Sequence, residues 1–418
     1  MKICIIGAGS SYTPELIERL AVMTNELPIK EIALNDIDEE RLSIMHGFCC
    51  RFASYLNFDV SITKTTDRKK AILGSSFVNT QIRVGGNAAR ILDERIPISM
   101  GLVGQETTGA GGFSKALRTI PVMLDIAHDV VKLSPDAWII NYTNPTGLVA
   151  EAVETYTEAK FAGLCSGGVF AKDWVSKATG CERNDIRYDY AGLNHMNFSY
   201  NITVKGKPLT QKEFELAAEQ IHEVDNEPIL KIGALPSPYL QYYFHEEKCV
   251  EKFKEQTRGE AVAIMEEELY REFADTAVNT KPKALEKRGG GGYADVAMST
   301  MSAIYNNKDT LSVVNTANRG ALEFLPDNAV IEVPCVVNAS GITPIVQKAP
   351  PKSVWGLIVA VKNYESLAVE AAVKGCHDTA YLALLAHPLV RDSEKARALL
   401  DKILSSHKEY LPNFWKSV

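Results

Sequence analysis

The stretch from Met1 to Asp36 constrains the fold more than any other. It runs Met-Lys-Ile-Cys-Ile-Ile-Gly-Ala-Gly-Ser-Ser-Tyr-Thr-Pro-Glu, passes through an amphipathic segment and reaches Glu-Ile-Ala-Leu-Asn-Asp at residues 31–36. The unbroken apolar run Ile3 to Ile6 is the pattern of a strand buried on both faces. Gly7 and Gly9 follow directly, where backbone must turn sharply and let a ligand approach closely. Pro14 and Glu15 suit a helix's first turn, where a missing N–H is harmless and an acid meets the positive dipole end. A second strand, Ile32 to Leu34, ends at Asp36, near the spacing at which an acid meets an adenosine ribose. The third glycine of the usual fingerprint is absent, and Tyr12 stands there instead. Together these features predict a dinucleotide site, with NAD on Gly7, Gly9, Ser10, Ser11 and Asp36.

At 418 residues the chain exceeds what one core usually serves, so two domains are expected. The 45 basic and 52 acidic residues give a formal charge of -7, which argues against a nucleic-acid surface. An anionic substrate then needs a local arginine pocket. The eight cysteines are scattered without the spacing of a disulfide framework. No leader is expected before the first strand, and no run of about 18 apolar residues could span a bilayer. The expectation is a cytoplasmic enzyme with reduced thiols and no membrane partner.

The first part of the chain alternates strand and helix signals. Strands are expected at Phe58–Thr63, Ser76–Val84 and from Trp138 into the turn at Pro145. Helices are expected at Asp67–Leu73, at Asn87–Glu94 (stopped by Pro97) and at Ser114–Leu133, after a glycine-dense loop over Gly101–Phe113. From about residue 165 the pattern changes: Asp185–Val204 alternates like antiparallel strands. Helices follow at Gln211–Val224, Gly259–Asp275 and Ala294–Tyr305, strands at Thr310–Val314 and Ala329–Val337, and a mostly helical tail over Val354–Glu409. The fold class is α/β, with a Rossmann-type parallel sheet in residues 1–165 and a substrate, metal and oligomerisation domain in 166–418.

At this point the sequence resembles a known family, the NAD- and manganese-dependent glycosidases of glycoside hydrolase family 4, and most closely its 6-phospho-β-glucosidase branch. The anchors are Gly-Ala-Gly-Ser-Ser-Tyr-Thr-Pro-Glu (7–15), Arg-Val-Gly-Gly (83–86), Asp-Glu-Arg-Ile-Pro (93–97) and Gly-Gln-Glu-Thr-Thr-Gly (104–109). Further on come Asn-Tyr-Thr-Asn-Pro (141–145), Ala-Gly-Leu-Asn-His-Met (191–196), Pro-Tyr-Leu-Gln-Tyr-Tyr (238–243), Glu-Lys-Arg-Gly-Gly (286–290) and Val-Val-Asn-Thr (313–316). The resemblance covers essentially the whole chain. It implies a C-terminal α/β domain like that of lactate and malate dehydrogenases, and a homodimer or homotetramer. It also implies a route outside the two-carboxylate scheme of most glycosidases. In that route NAD⁺ takes hydride from C3 of the sugar, a base removes the acidified C2 proton, the aglycone leaves C1, water adds and the hydride returns.

The resemblance assigns roles residue by residue. Cys165 and His195 fall at the metal-ligand positions, for Mn²⁺ or another divalent cation beside the C2 and C3 oxygens. Tyr239 falls at the position of the base, and Tyr242 and Tyr243 read as packing. A phenol of ordinary pKa near 10 is a poor base at neutral pH, so it needs a nearby positive charge. Glu106 matches a position linked to tuning that tyrosine; its bland reading is a carboxylate capping the helix after Gly111 and Gly112. For a phosphorylated disaccharide or glycoside the resemblance points to Arg90, Asn144, Ser166 and Arg288. Arg83 and Arg95 lie near the site strands, with a structural ion-pair role open for one of them.

Two stretches depart from the branch. Its members carry Cys-Asn-x-Pro at the metal cysteine, where this chain has Cys165-Ser166-Gly167-Gly168; Ser166 cannot act as a carboxylic acid. Gly291-Gly292-Tyr293 replaces a larger residue and two tyrosines. Both changes are expected to loosen the sugar pocket. They leave the mechanism standing and leave open an α-galactosidase or α-glucuronidase-like specificity; separate rivals are a hydroxyacid dehydrogenase that would accumulate NADH and a non-catalytic NAD- and sugar-binding sensor.

Overall fold

The computed structural model describes residues 1–288 and 292–415, without the side chains of Glu286, Lys287, Arg288 and Tyr293. Six strands stand parallel at its heart: β1 (Lys2–Ile6), β2 (Glu31–Asn35), β3 (Ser61–Thr65), β4 (Phe77–Thr80), β5 (Trp138–Asn141) and β6 (Lys160–Gly163). Their order across the sheet is 3-2-1-4-5-6, that of a doubly wound dinucleotide-binding fold. β1 and β4 are buried along nearly their whole length, which is why they read as apolar runs and not as alternation. The order reverses between β1 and β4, so the crevice beyond their carboxyl ends is where such a sheet places its ligand.

A second sheet comes from β7 (Ile186–Leu193), β8 (Met196–Val204), β9 (Lys207–Pro208) and β10 (Leu235–Pro236). β7 and β8 form an antiparallel hairpin in which Leu193 faces Met196, leaving Asn194 and His195 as its turn. Three later strands, β11 (Thr310–Ala317), β12 (Val330–Asn338) and β13 (Gly341–Pro344), rejoin the first sheet antiparallel, with Asn315 of β11 against Gly163 of β6. The sheet thus has nine strands, drawn from both sides of residue 165, and one apolar core runs from Ile3 to Phe414. No helix among the described residues is long and apolar enough to cross a membrane, and none of the cysteines is in a disulfide.

Several element boundaries differ from the sequence reading. β3 starts later than expected, at Ser61, and the strand expected over Ser76–Val84 ends at Thr80. The helix near Asn87 runs over Gly86–Ile98 and includes Pro97. Pro97 lies one residue inside the helix end, so it bends no continuing helix. The largest change is at the glycine-dense loop, where the helix begins at Gly109 instead of Ser114 and runs to Leu133. Its first turn folds back on the loop that precedes it. A β-carbon at Gly111 would lie 2.3 Å from the Gln105 carbonyl oxygen, and one at Gly112 would lie 2.5 Å from the Thr107 carbonyl carbon. The glycines serve close packing inside a helix, a use that their ordinary helix-breaking tendency conceals.

Candidate active site

The dinucleotide end of the crevice is built by the turn after β1. Gly7 has φ +84, and a β-carbon there would meet the Gln81 carbonyl oxygen at 2.8 Å. The N–H groups of Gly7 and Ala8 both donate to the Asn35 carbonyl at 2.9 Å, tying the turn to β2. Asp36 accepts the Gly9 N–H at 2.8 Å, so acid and loop are joined before any ligand arrives. Ser10 accepts the Tyr12 N–H at 3.2 Å. Tyr12 precedes the Thr13–Val22 helix and packs partly buried on the core, with Pro14 and Glu15 in the first turn as expected. Ser11 is fully buried and donates its hydroxyl to Glu266 at 3.0 Å. Its side chain thus turns toward the Arg258–Ala274 helix.

At the other end, His195 sits in the β7–β8 turn with φ +63, not within a strand. Its surroundings define its tautomer. Gln105 Oε1 accepts both the N–H of Thr107, at 2.6 Å, and the Thr107 hydroxyl, at 2.7 Å. The Thr107 proton being spent there, the 2.7 Å contact between Thr107 Oγ1 and His195 Nδ1 requires that Nδ1 carry the hydrogen. Nε2 then presents a lone pair, and this buried atom has no partner among the described residues. Burial pushes the imidazole pKa down to about 4, so the ring is neutral at pH 7. A neutral histidine whose far nitrogen is fixed by a hydrogen bond is the form that binds metal. Cys165, buried, caps the short 3-10 turn Ser166–Val169 and accepts the Gly167 N–H at 3.4 Å. The residues present fit a divalent cation. Among the described residues no trio of His, Cys, Asp or Glu gathers to hold one alone.

Tyr239, in the 3-10 turn Pro238–Leu240, lays its ring on His195 with centroids 3.8 Å apart and planes at 16°. Burial raises its phenol pKa strongly, and the charges of Cys165, Glu106 and Glu332 push the same way. Tyr242 packs near Phe253 and Tyr243 near His387, as packing residues do.

Two carboxylates flank this pair. Glu106 is held by three cations: Arg83, Arg90 at 3.2 Å and Lys115 at 2.6 Å. Against the opposing effect of burial, they hold its carboxyl well below the usual range. Those cations, rather than helix amides, are its partners. Lys115 has its pKa pushed down to about 7 by burial, and by the neighbouring Arg83 and Arg90, despite that contact. Glu332 on β12 is fully buried and accepts from Tyr190 Oη (2.5 Å), Asn194 (2.9 Å), Asn197 (2.9 Å) and Asn315 (3.1 Å). No ion pair reaches it among the described residues, and burial raises its pKa. Asn194 and Asn197 bracket His195, so this carboxylate fixes the turn that presents the histidine.

The substrate candidates are placed less uniformly. Arg90 is buried and gives Nε to Glu94 at 2.9 Å besides its contact with Glu106. Arg83 joins Glu106, whereas Arg95 binds Glu260 at 2.6 Å and is the structural partner of the two. Asn144 precedes Pro145 at the end of β5, and its Oδ1 accepts from the Thr146 hydroxyl at 3.2 Å. Ser166 is half-buried, and a β-carbon on Gly292 would lie 3.9 Å from its Cβ, so the two departures from the branch meet in space. The expected loosening does not hold at Gly168: a β-carbon there would strike Val313 Cβ at 2.4 Å, and its carbonyl takes the Tyr188 hydroxyl at 2.6 Å. The side chain of Arg288 and all of Gly291 lie outside the described residues. Sequence reasoning missed Thr107, Lys115 and Glu332. The last had a usable signal, an acid in the middle of the apolar run Ala329–Val337.

Comparison with known proteins matches the chain to a family. The model of family 4 glycosyl hydrolases matches residues 2–181, and that of their C-terminal domain matches residues 190–390. The 6-phospho-beta-glucosidase of Escherichia coli (strain K12) is 36% identical over 99% of this chain and 97% of its own. A phospho-alpha-glucosidase of Clostridium acetobutylicum is 30% identical over 98% of each. The 6-phospho-beta glucosidase of Thermotoga maritima, solved with NAD and glucose-6-phosphate, superposes with a TM-score of 0.92 at 35% identity over 98% of this chain and 99% of its own. Another structure of that enzyme also holds manganese, with a TM-score of 0.90 at 34% identity over the same shares of the two chains. Malate dehydrogenase of Cryptosporidium parvum, 15% identical over 88% of this chain and 99% of its own, shares the fold with a TM-score of 0.58.

Proposed function

The chain belongs to the family 4 glycosyl hydrolases, and from that premise we propose that it hydrolyses 6-phospho-β-glucosides with NAD⁺ and Mn²⁺. The observation that carries the reading is the stack of Tyr239 on a neutral His195 whose Nε2 is buried without a protein partner. Cys165 and His195 would hold the cation, and the Gly7–Asp36 loop the nucleotide. When bound, NAD⁺ takes and returns a hydride at C3 of the sugar, and the cation stabilises negative charge on the C2 and C3 oxygens.

The chain's own residues supply the rest. Tyr239 Oη would take the C2 proton and give it back after water has added, which requires the charge of a cation held at Cys165 and His195 to offset the burial and anionic neighbours that raise its pKa. The anionic charge of Glu106 is balanced by Arg83, Arg90 and Lys115, so a negative group stays beside the tyrosine without leaving the pocket anionic as a whole. Thr107 and Glu332 act at one remove, by orienting the imidazole and by holding its turn. Ser166 and Asn144 face the sugar, and Arg90 and Arg288 are assigned to polar substrate contacts. Residues 1–165 serve the cofactor and also lend Cys165, Arg90 and Asn144 to the cation and sugar, and residues 166–418 supply the rest of the sugar and cation site and assembly into a homodimer or homotetramer. The setting is cytoplasmic, with a phosphorylated disaccharide or glycoside as the partner and no nucleic acid.

The test is turnover of 4-nitrophenyl β-glucoside 6-phosphate with NAD⁺, Mn²⁺ and a thiol. Turnover of the unphosphorylated glycoside without that of the phosphate would overturn the assignment. Tyr239→Phe is expected to lower kcat by roughly 10²–10⁴, the usual worth of a positioned base, with Mn²⁺ still bound.

A further inference from the structure

Arg41 lies in the first turn of the Glu39–Tyr55 helix, just past Asp36. A β-carbon on Gly9 would meet Asp36 Oδ2 at 2.8 Å and Arg41 Cβ at 3.2 Å, so the acid and the arginine flank the same residue of the nucleotide loop. An arginine beside the ribose acid is what accepts the 2′-phosphate of a phosphorylated dinucleotide. Here that arginine is committed elsewhere. Its Nε and Nη2 each reach the Gly9 carbonyl at 3.4 Å, and Nη2 lies 3.2 Å from Glu266 Oε2. Its guanidinium rests 4.2 Å from the centre of the Tyr270 ring, and the Tyr270 hydroxyl donates to the same Gly9 carbonyl.

Glu266 organises the group. Its carboxylate also takes the Ser11 hydroxyl and, at 2.9 Å, the Asn87 amide. It stands on the Arg258–Ala274 helix, 225 residues from Arg41 in the chain. Glu266 therefore holds the guanidinium, while Asp36 flanks Gly9 at the ribose end of the same loop.

We propose that Glu266 sets the cofactor selectivity: by holding Arg41 against Tyr270 and Gly9 it withholds a cation that could pair with a 2′-phosphate. The pocket then admits the dinucleotide with a free ribose diol and rejects the phosphorylated one. The inference rests on the NAD reading of the loop. It acts through position, since Glu266 bears on the nucleotide loop by way of Arg41 and Ser11.

The experiment measures dissociation constants of NAD⁺ and NADP⁺ on the full chain by calorimetry, for wild type, Glu266→Gln, Arg41→Ala and the double variant. Glu266→Gln is expected to move the NADP⁺/NAD⁺ affinity ratio toward NADP⁺ by at least about tenfold, as release of one charged hydrogen-bonding partner allows. Arg41→Ala alone should change the ratio by less than about threefold, because the arginine is already withheld, and the double variant should lose the gain. A ratio unmoved in Glu266→Gln overturns the inference, as does a gain that survives removal of Arg41. Wild type that binds no NAD⁺ overturns instead the cofactor reading beneath it.

Discussion

Glu106 and Glu332 face the same crevice and are stabilised in opposite ways. Glu106, its side chain 13% exposed, is surrounded by cations. Glu332, sealed from solvent, is surrounded by one phenol and three amides, all neutral. Charge partners outweigh burial in the first case and lower the pKa; burial outweighs neutral donors in the second and raises it. The difference teaches that the two sides of the site do different work. The Glu106 side keeps a fixed charge near Tyr239, and the Glu332 side holds a backbone turn in place.

The strongest way to break this comparison is Glu106→Gln. It leaves Arg83, Arg90 and Lys115 without their shared anion, and removing one partner of a buried ion pair costs about 3–5 kcal/mol. The lower end is expected, because Lys115 can release its proton while the arginines cannot. Urea denaturation at pH 7 measures it; a loss under about 1 kcal/mol would mean that solvent already screens the cluster.

Glu332→Gln should cost less, about 1–3 kcal/mol, since hydrogen bonds and not ion pairs are disturbed. It should also weaken Mn²⁺ binding, because the turn that presents His195 is held by Asn194 and Asn197. A calorimetric Mn²⁺ titration, with NAD⁺ affinity as the control, reads that effect; unchanged Mn²⁺ affinity would reduce Glu332 to a packing role.

The smallest effect is in acid titration, and its sign differs between the two groups. Glu106 has a folded-state pKa below its unfolded value, so its contribution is present above the unfolded pKa and is lost as pH falls through the folded one. Glu332 has a raised folded-state pKa, so its contribution is full below the unfolded value and is lost as pH rises through the folded one. Carboxyl-carbon NMR should therefore find Glu106 ionised and Glu332 largely protonated at pH 4.5, the ordinary glutamate value. A common midpoint would erase the distinction.

Much of this could be read along the chain. The Ile3–Ile6 run, Gly7, Gly9 and Asp36 announced the nucleotide crevice because a strand, a tight turn and a helix start are local events with local signatures. The family anchors carried Cys165, His195 and Tyr239, and the structure brings Tyr239 onto His195. Local patterns misled where glycine served packing: Gly109–Gly112 begins a helix, and Gly168 tightens its loop.

What only the tertiary structure decided was which groups meet. Ser11 finds Glu266 across 255 residues, and Glu332 finds Asn194 and Asn197 across 138 and 135. The sequence by itself determined the presence of the strands and the nucleotide turn, because each depends on near neighbours, and its family anchors nominated the candidate site residues. The protonation and orientation of those side chains depend on partners that chain order leaves unpaired, and only packing β12 and the Arg258–Ala274 helix against the crevice supplies them.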